Sequence, residues 1–357
     1  MRYSIDPDIA AAATLPGAFY RDAHAYALAK ERVFARTWQW VGDLADVAAA
    51  GSLAPRDLLP GCLDEPLLLA RDRDGTLRCL PNVCTHRGNL LVRTPCRATE
   101  IRCGYHSRRF DLAGRMTFMP EFGAARTFPA PSDHLAHVPF AAWGGHGFAA
   151  LAPVAPFGDF VDEVVARIGF DPATGATHDP SRDRDFVVAA HWALYVENYL
   201  EGFHIPFVHP ALAAAVDCGA YRDELFPFAT LQVAPARPDA PAFERHDAGE
   251  RIAAWYVWIF PNLMLNVYPW GLSVNVVEPQ GLDRTRVRFR SYVRDPALLE
   301  AGAGAGLDAV EHEDEAVVTA VQRGVGSRFY GRGRYSPTRE RGVHRFHRLL
   351  CGFLDRA

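Results

Sequence analysis

Two short stretches, NVCTHRGNLL and RCGYHSRRFDLAG, constrain this chain more than anything else in it. They give Cys84-x-His86, then sixteen residues, then Cys103-x2-His106. Each stretch supplies one thiol and one imidazole, and four such donors in two short loops describe a closed metal site. A zinc ion accepts two sulfurs and two nitrogens, but common zinc pairs place both cysteines in one loop and both histidines in the other. Mixed loops suit a [2Fe–2S] cluster better, because two cysteines on one iron and two histidines on the other require one donor of each kind from each loop. Exchanging two thiolates for neutral imidazoles raises the reduction potential to about −150 to +300 mV, a range from which electrons pass onward to oxygen chemistry. Cys96 lies between the loops outside the paired spacing. With Cys62, Cys79, Cys218 and Cys351 it reads as a small buried or incidental thiol.

The rest of the chain sets the frame. Its 357 residues are 49% hydrophobic, enough for two cores, so two domains are expected. A net charge of −4 argues against a nucleic-acid partner, which needs a concentrated basic surface. Asp6, Pro7 and Asp8 interrupt the N-terminus early and no long apolar run follows, so neither a secretory signal nor a membrane helix is expected and the location reads as cytoplasmic. Residues 8–36 read as helical. From Trp38 to about Leu151 short apolar runs alternate with turn residues, and RDRDGTL predicts a hairpin. A Pro-rich break at 152–157 precedes a short amphipathic helix in DFVDEVVARIGF. Strand-like stretches follow (DFVVAAHWALYVEN, RIAAWYVWIFPNLMLNVYPWGLSVNVVEPQ, TRVRFRSYVRD), with helices over 308–323 and 337–354, the latter capped by Ser336 with Pro337 in its first turn. EAGAGAG at 300–306 reads as a flexible loop. The fold class expected is α+β: an all-β first half and a second half with an antiparallel sheet and packed helices.

A second constellation stands at ENYLEGFHIPFVHP, with His204 and His209 five residues apart. In one regular helix that spacing leaves the two imidazoles ~140° apart. Pro206 must therefore kink or end a helix between them, and such a break turns His209 back toward His204. Two histidines with one carboxylate form the facial triad of non-haem Fe(II). The run DAVEHEDEAVVTAVQRG offers Glu311, Glu313, Asp314 and Glu315, most of which read as a solvated acidic face.

Together, Cys84-x-His86, Cys103-x2-His106 and the downstream Glu-Asn-x2-Glu-x2-His-x4-His resemble the α (catalytic) subunit of Rieske non-haem iron oxygenases of the ring-hydroxylating and demethylating type, over nearly the whole chain. The resemblance implies an N-terminal helical segment (1–37) packing on the catalytic domain, an all-β Rieske domain (38–153) and a C-terminal helix-grip catalytic domain (154–357). It implies that Cys84, His86, Cys103 and His106 hold the [2Fe–2S] cluster. His204, His209 and Asp314 would hold a mononuclear Fe(II), with Asn198 supporting them. EDEAVVTAVQ resembles the family segment in which an Asp starts a helix and a Gln follows. The family forms head-to-tail homotrimers, which casts Glu201 as the electron bridge from His106 of a neighbour to His204. Electrons would come from NAD(P)H through a separate reductase or ferredoxin. Gly104, Ser107 and Arg108 replace residues of the usual Cys-Pro-Tyr-His-Gly-Trp, and Ala193 replaces a usual lysine. A bridging Glu in place of the commoner Asp resembles the quaternary-ammonium branch.

The implied activity is that of a terminal oxygenase that hydroxylates or oxidatively demethylates an aromatic or quaternary ammonium compound. Two other classes compete: a zinc-stabilised binding protein, and an electron carrier with no second iron. The aromatic residues Trp255, Tyr256, Trp258, Phe260, Tyr268 and Trp270 read as core or as the wall of a substrate pocket. Eight arginines between 323 and 348 read as a solvated face, a trimer contact or a docking surface for an acidic electron donor.

Overall fold

Alternation of apolar and turn residues after Trp38 produces short antiparallel strands. In the computed structural model, which describes residues 3–356, a four-stranded sheet runs Leu77–Pro81, Glu65–Arg71, Ser52–Leu58, Cys96–Arg97. The expected hairpin is present: Leu69 pairs with Cys79, and Gly75 adopts the left-handed backbone the reversal requires. The unbroken apolar run in EPLLLAR has a physical reason. Leu67 and Leu69 face one core with Val47 and Leu58, and Leu68 and Ala70 face another with Ile101 and Phe110. Cys84 and Cys103 belong to that second core. Ala35–Val154 make up one compact unit, and the chain before and after it makes up the other.

In that other unit a nine-stranded antiparallel sheet carries the large core. Its main path is Thr177–His178, Thr285–Val293, Gly271–Pro279, Leu263–Tyr268, Glu250–Ile259, Ala229–Pro235, Arg222–Leu225. Register aligns Gln232 with Tyr256, Tyr256 with Asn266, and Asn275 with Phe289, so one sheet face bears a row of polar and aromatic side chains. Gln232, Asn266 and Asn275 are buried there. Polar groups inside a sheet need partners, and they mark the face that holds a site.

The helices are α1 (Ala23–Arg32), α2 (Gly158–Ile168), α3 (Trp192–Tyr199), α4 (Ile205–Val208), α5 (Pro210–Ala215), α6 (Leu307–Gly324) and α7 (Arg341–Leu354). Trp258, on the Tyr256 face of its strand, meets Phe346 of α7, and Phe346 meets Trp192 of α3. Val343, Phe346, Leu350 and Phe353 form a buried apolar stripe on α7, each worth ~1.5–3 kcal/mol, with Leu349 beside them partly buried. The N-terminal segment is tied to α3 and α7: Tyr20 donates to Glu197 at 2.7 Å, and Glu197 lies 3.0 Å from His347. Among the described residues, no helix is long and apolar enough to cross a membrane.

Several expectations are corrected. Residues 8–36 contain one ten-residue helix, because Pro16-Gly17 interrupts the chain and Asp22 caps a new start by accepting the His24 and Ala25 N–H groups. WALYVENY is helix α3. Its first five residues are buried on every side, which erases the helical period. α7 starts at Arg341, since Glu340 turns back to accept the Ser336 N–H, and Ser336 and Pro337 lie in a preceding turn. Within EAGAGAG, Ala303 and Gly304 are buried in the core, whereas Glu300 and Gly306 at its ends are exposed. A Cβ on Gly304 would meet Trp270 Nε1 at 2.1 Å, so only glycine fits against that ring. Of the eight arginines, Arg323, Arg328, Arg332, Arg334, Arg341 and Arg348 are exposed, in keeping with a solvated face, and Arg332, Arg334, Arg339, Arg341 and Arg345 also donate to main-chain carbonyls.

Candidate functional site

The first loop follows strand Leu77–Pro81, and the second is the turn between strands Ile101–Arg102 and Arg109–Phe110. Cys84 and Cys103 are 3% and 2% exposed, whereas His86 and His106 are half-buried at the rim, their rings 4.7 Å apart. The sulfurs therefore pair with each other inside, and the imidazoles pair outside, as one iron of each ligand type requires. Burial pushes the Cys84 thiol up. At Cys103 burial acts the same way, but N–H groups of Tyr105 and His106, the Cys84 thiol and the Asn89 amide all aim at the sulfur and bring it down. Nδ1 of His106 is buried without a hydrogen-bond partner, which suits a nitrogen reserved for a metal.

The departures at this loop are resolved locally. Ser107 stands with φ +57°, the conformation the usual glycine supplies freely. Arg108 fills the place of the usual tryptophan: 1% exposed, it ion-pairs with Asp133 and lies 5.6 Å from the centre of the Phe128 ring. Cys62, Cys79 and Cys351 are buried and Cys96 is exposed.

In the larger unit the donor atoms of His204, His209 and Asp314 lie within 4.8 Å of one another. His204 Nε2 is 3.2 Å from His209 Nε2, and Asp314 Oδ1 is 3.0 Å from His209 Nε2 and 3.6 Å from His204 Nε2. Metal–ligand bonds of ~2.1 Å place neighbouring octahedral donors ~3.0 Å apart, so the three sit where a facial triad would hold a metal. The chain reaches this arrangement differently from the expectation. Pro206 opens α4, which is a single turn, and the break falls at His209, whose backbone (φ −117°, ψ 76°) separates α4 from α5. Asp314 lies in the middle of α6, which begins at Leu307.

Each donor is held from behind. Glu201 Oε1 accepts from His204 Nδ1 at 2.6 Å, and its Oε2 accepts the His204 and Phe203 backbone N–H groups. Asn198 donates to Asp314 Oδ1 at 2.6 Å. Glu313 Oε2 is 2.6 Å from His209 Nδ1, a contact missed in the sequence because the acidic run read as solvated. Burial would lower the His209 pKa, but Asp314 and then Glu313 outweigh it and raise it. Tyr195 and Asn198 on one face of α3 meet Glu311 and Asp314 on one face of α6 as two rungs, each 2.6 Å.

Beside the triad opens a cavity of about 90 Å³. Tyr199, Tyr221, Tyr256, Tyr268 and Phe289 line it with Gln232, Asn266 and Asn275. Of the aromatic run singled out in the sequence, Tyr256 and Tyr268 reach this wall, while Trp255, Trp258, Phe260 and Trp270 are core.

A metal-ready triad beside a tyrosine-lined cavity, with a separate cysteine–histidine cradle, defines a Rieske-type oxygenase. The family profile for the ring hydroxylating alpha subunit (catalytic domain) matches residues 175–354 and the Rieske [2Fe-2S] domain profile matches residues 37–129, and the chain belongs to this family. It is similar to the carnitine monooxygenase oxygenase subunit of Escherichia coli K12 (30% identity, 95% of this chain and 93% of that one). It is also similar to the chloroplastic choline monooxygenase of Arabidopsis thaliana (29%, 95% and 82%). In fold it is similar to a quaternary ammonium Rieske monooxygenase (TM-score 0.79, 23% identity, 99% of each chain) and to naphthalene 1,2-dioxygenase from Rhodococcus sp. (TM-score 0.71, 18%, 95% and 93%). The chain is thus the oxygenase component of a Rieske system. It uses a [2Fe–2S] cluster and a mononuclear iron with electrons from a separate reductase, and the zinc-protein and electron-carrier alternatives are set aside.

Proposed function

We propose that this chain oxygenates a quaternary ammonium compound. The observation that carries the reading is the tyrosine wall: Tyr199, Tyr221, Tyr256 and Tyr268 around one cavity offer π faces to a methylated cation. The names of the carnitine and choline relatives support it, as does a glutamate at position 201. Cys84, His86, Cys103 and His106 would hold the cluster, and His204, His209 and Asp314 the iron. Those metal groups supply electron storage and oxygen activation when bound. The chain's own residues do the rest. Asn198 and Glu313 orient Asp314 and His209, and Glu201 holds the His204 proton at Nδ1. The cavity walls keep water from the reacting face.

The working form in this reading is a head-to-tail homotrimer, with Glu201 linking His204 to His106 of a neighbouring subunit. Exposed Tyr105 beside His106, and exposed Phe203 and Phe207 beside His204, give both ends apolar surface suited to such a contact. The test is a panel of aromatic acids, aryl ethers and trimethylammonium compounds, scored by product formation with a surrogate reductase. Trimethylammonium compounds should be the ones consumed, and turnover confined to aromatic rings would overturn the reading.

A further inference from the structure

Among the described residues, three that line the cavity are carboxylates, Glu201, Glu311 and Asp314, and none is lysine or arginine. Two of the three are engaged with the triad: Glu201 holds His204, and Asp314 faces His209 and Asn198. Glu311 is not. It is 4% exposed, its Oε2 accepts from the Tyr195 hydroxyl at 2.6 Å, and its Oε1 is buried with no hydrogen-bond partner. A bare carboxylate oxygen inside a protein is costly, and it is answered best when something binds beside it.

Charge counting says what that something is. A divalent iron on His204, His209 and Asp314 leaves one positive charge at that centre, and Glu201 and Glu313, one on each ligand histidine, more than offset it. Ionised Glu311 adds a further negative charge with no basic side chain among the described lining residues to answer it. A singly positive guest offsets that charge. A neutral guest brings nothing to it, and a zwitterion adds another carboxylate among three.

Resting on the quaternary ammonium reading above, we propose that Glu311 is the substrate's counter-ion, and that it makes the cavity select a purely cationic trimethylammonium alcohol over neutral and zwitterionic analogues. The tyrosines do not make this distinction, because their π faces attract any methylated ammonium. Burial pushes the Glu311 carboxyl well above the usual range, against the Tyr195 hydroxyl on α3 and with Asp314 and Glu315 on its own helix. Burial thus favours the uncharged carboxyl, and a cation bound beside it favours the carboxylate.

The test measures dissociation constants on the iron-loaded full chain for three probes: choline, its neutral tert-butyl isostere, and carnitine. Choline should bind tighter than either by roughly tenfold or more. Glu311→Gln, checked for wild-type iron, cluster spectrum and circular dichroism, should shrink the choline-to-isostere ratio by roughly tenfold. Glu311→Asp keeps the charge one methylene further back and should retain part of the preference. An undiminished ratio in Glu311→Gln, or carnitine bound tighter than choline by the wild type, overturns the counter-ion while the quaternary ammonium reading stands. If neither choline nor carnitine binds the wild type, both fall.

Discussion

The two candidate metal centres differ in how much chain each needs. The cysteine–histidine cradle takes its four donors from residues 84–106, on two turns whose thiols are anchored in a local core. The His204, His209 and Asp314 set draws on residues 204–314, and its geometry depends on α3, α4 and α6 packing in register. The first centre is held by turn geometry and burial. In the second, each donor has a polar support of its own: Glu201 for His204, Glu313 for His209, Asn198 for Asp314. A centre assembled from distant elements needs those supports because nothing local fixes its donors.

That contrast can be broken by mutation. Asp314→Ala should abolish turnover by at least ~100-fold and release the mononuclear iron, with the EPR signal of the reduced cluster unchanged. A simultaneous loss of the cluster signal would show that the two centres are not independent. Glu201→Gln should leave both metals bound yet slow oxygenation by roughly 100-fold; normal turnover in that variant would sink the bridging role. Glu313→Gln should weaken iron binding ~10-fold, at the low end for an outer partner because Glu313 is 39% exposed, and a competition titration with a chelator measures it. Arg108→Met should affect the cradle alone. It leaves Asp133 unpaired and costs ~2–3 kcal/mol of stability, less than for a fully buried pair because Asp133 is 20% exposed, and chemical denaturation should show it with iron affinity at the triad intact.

The same contrast explains what could be read in the sequence. The pairing of Cys84 with Cys103 and of His86 with His106 was legible because spacing within a turn carries the geometry. His204 and His209 were legible as a pair, but the break that joins them was placed at Pro206, when a proline in the first turn of a helix is tolerated and the chain bends at His209. Glu311 and Glu313 were lost in an acidic run. Their roles depend on which face of α6 meets α3, and that is a tertiary fact: Glu311 is buried against Tyr195, and Glu313 reaches His209. Helix α3 itself looked like a strand because its first five residues are buried on every side, which removes the periodicity from which a helix is read. Gly304 was taken for slack in a loop when it is a contact with Trp270, since composition does not reveal what a glycine is pressed against.

Iron and acid-labile sulfide, counted side by side on the wild type and on His209→Ala, test most directly that two separate centres share this chain. The wild type should carry about three irons and about two sulfides per chain, and the variant about two of each. Zinc without sulfide in the wild type, or sulfide lost along with iron in the variant, would contradict it.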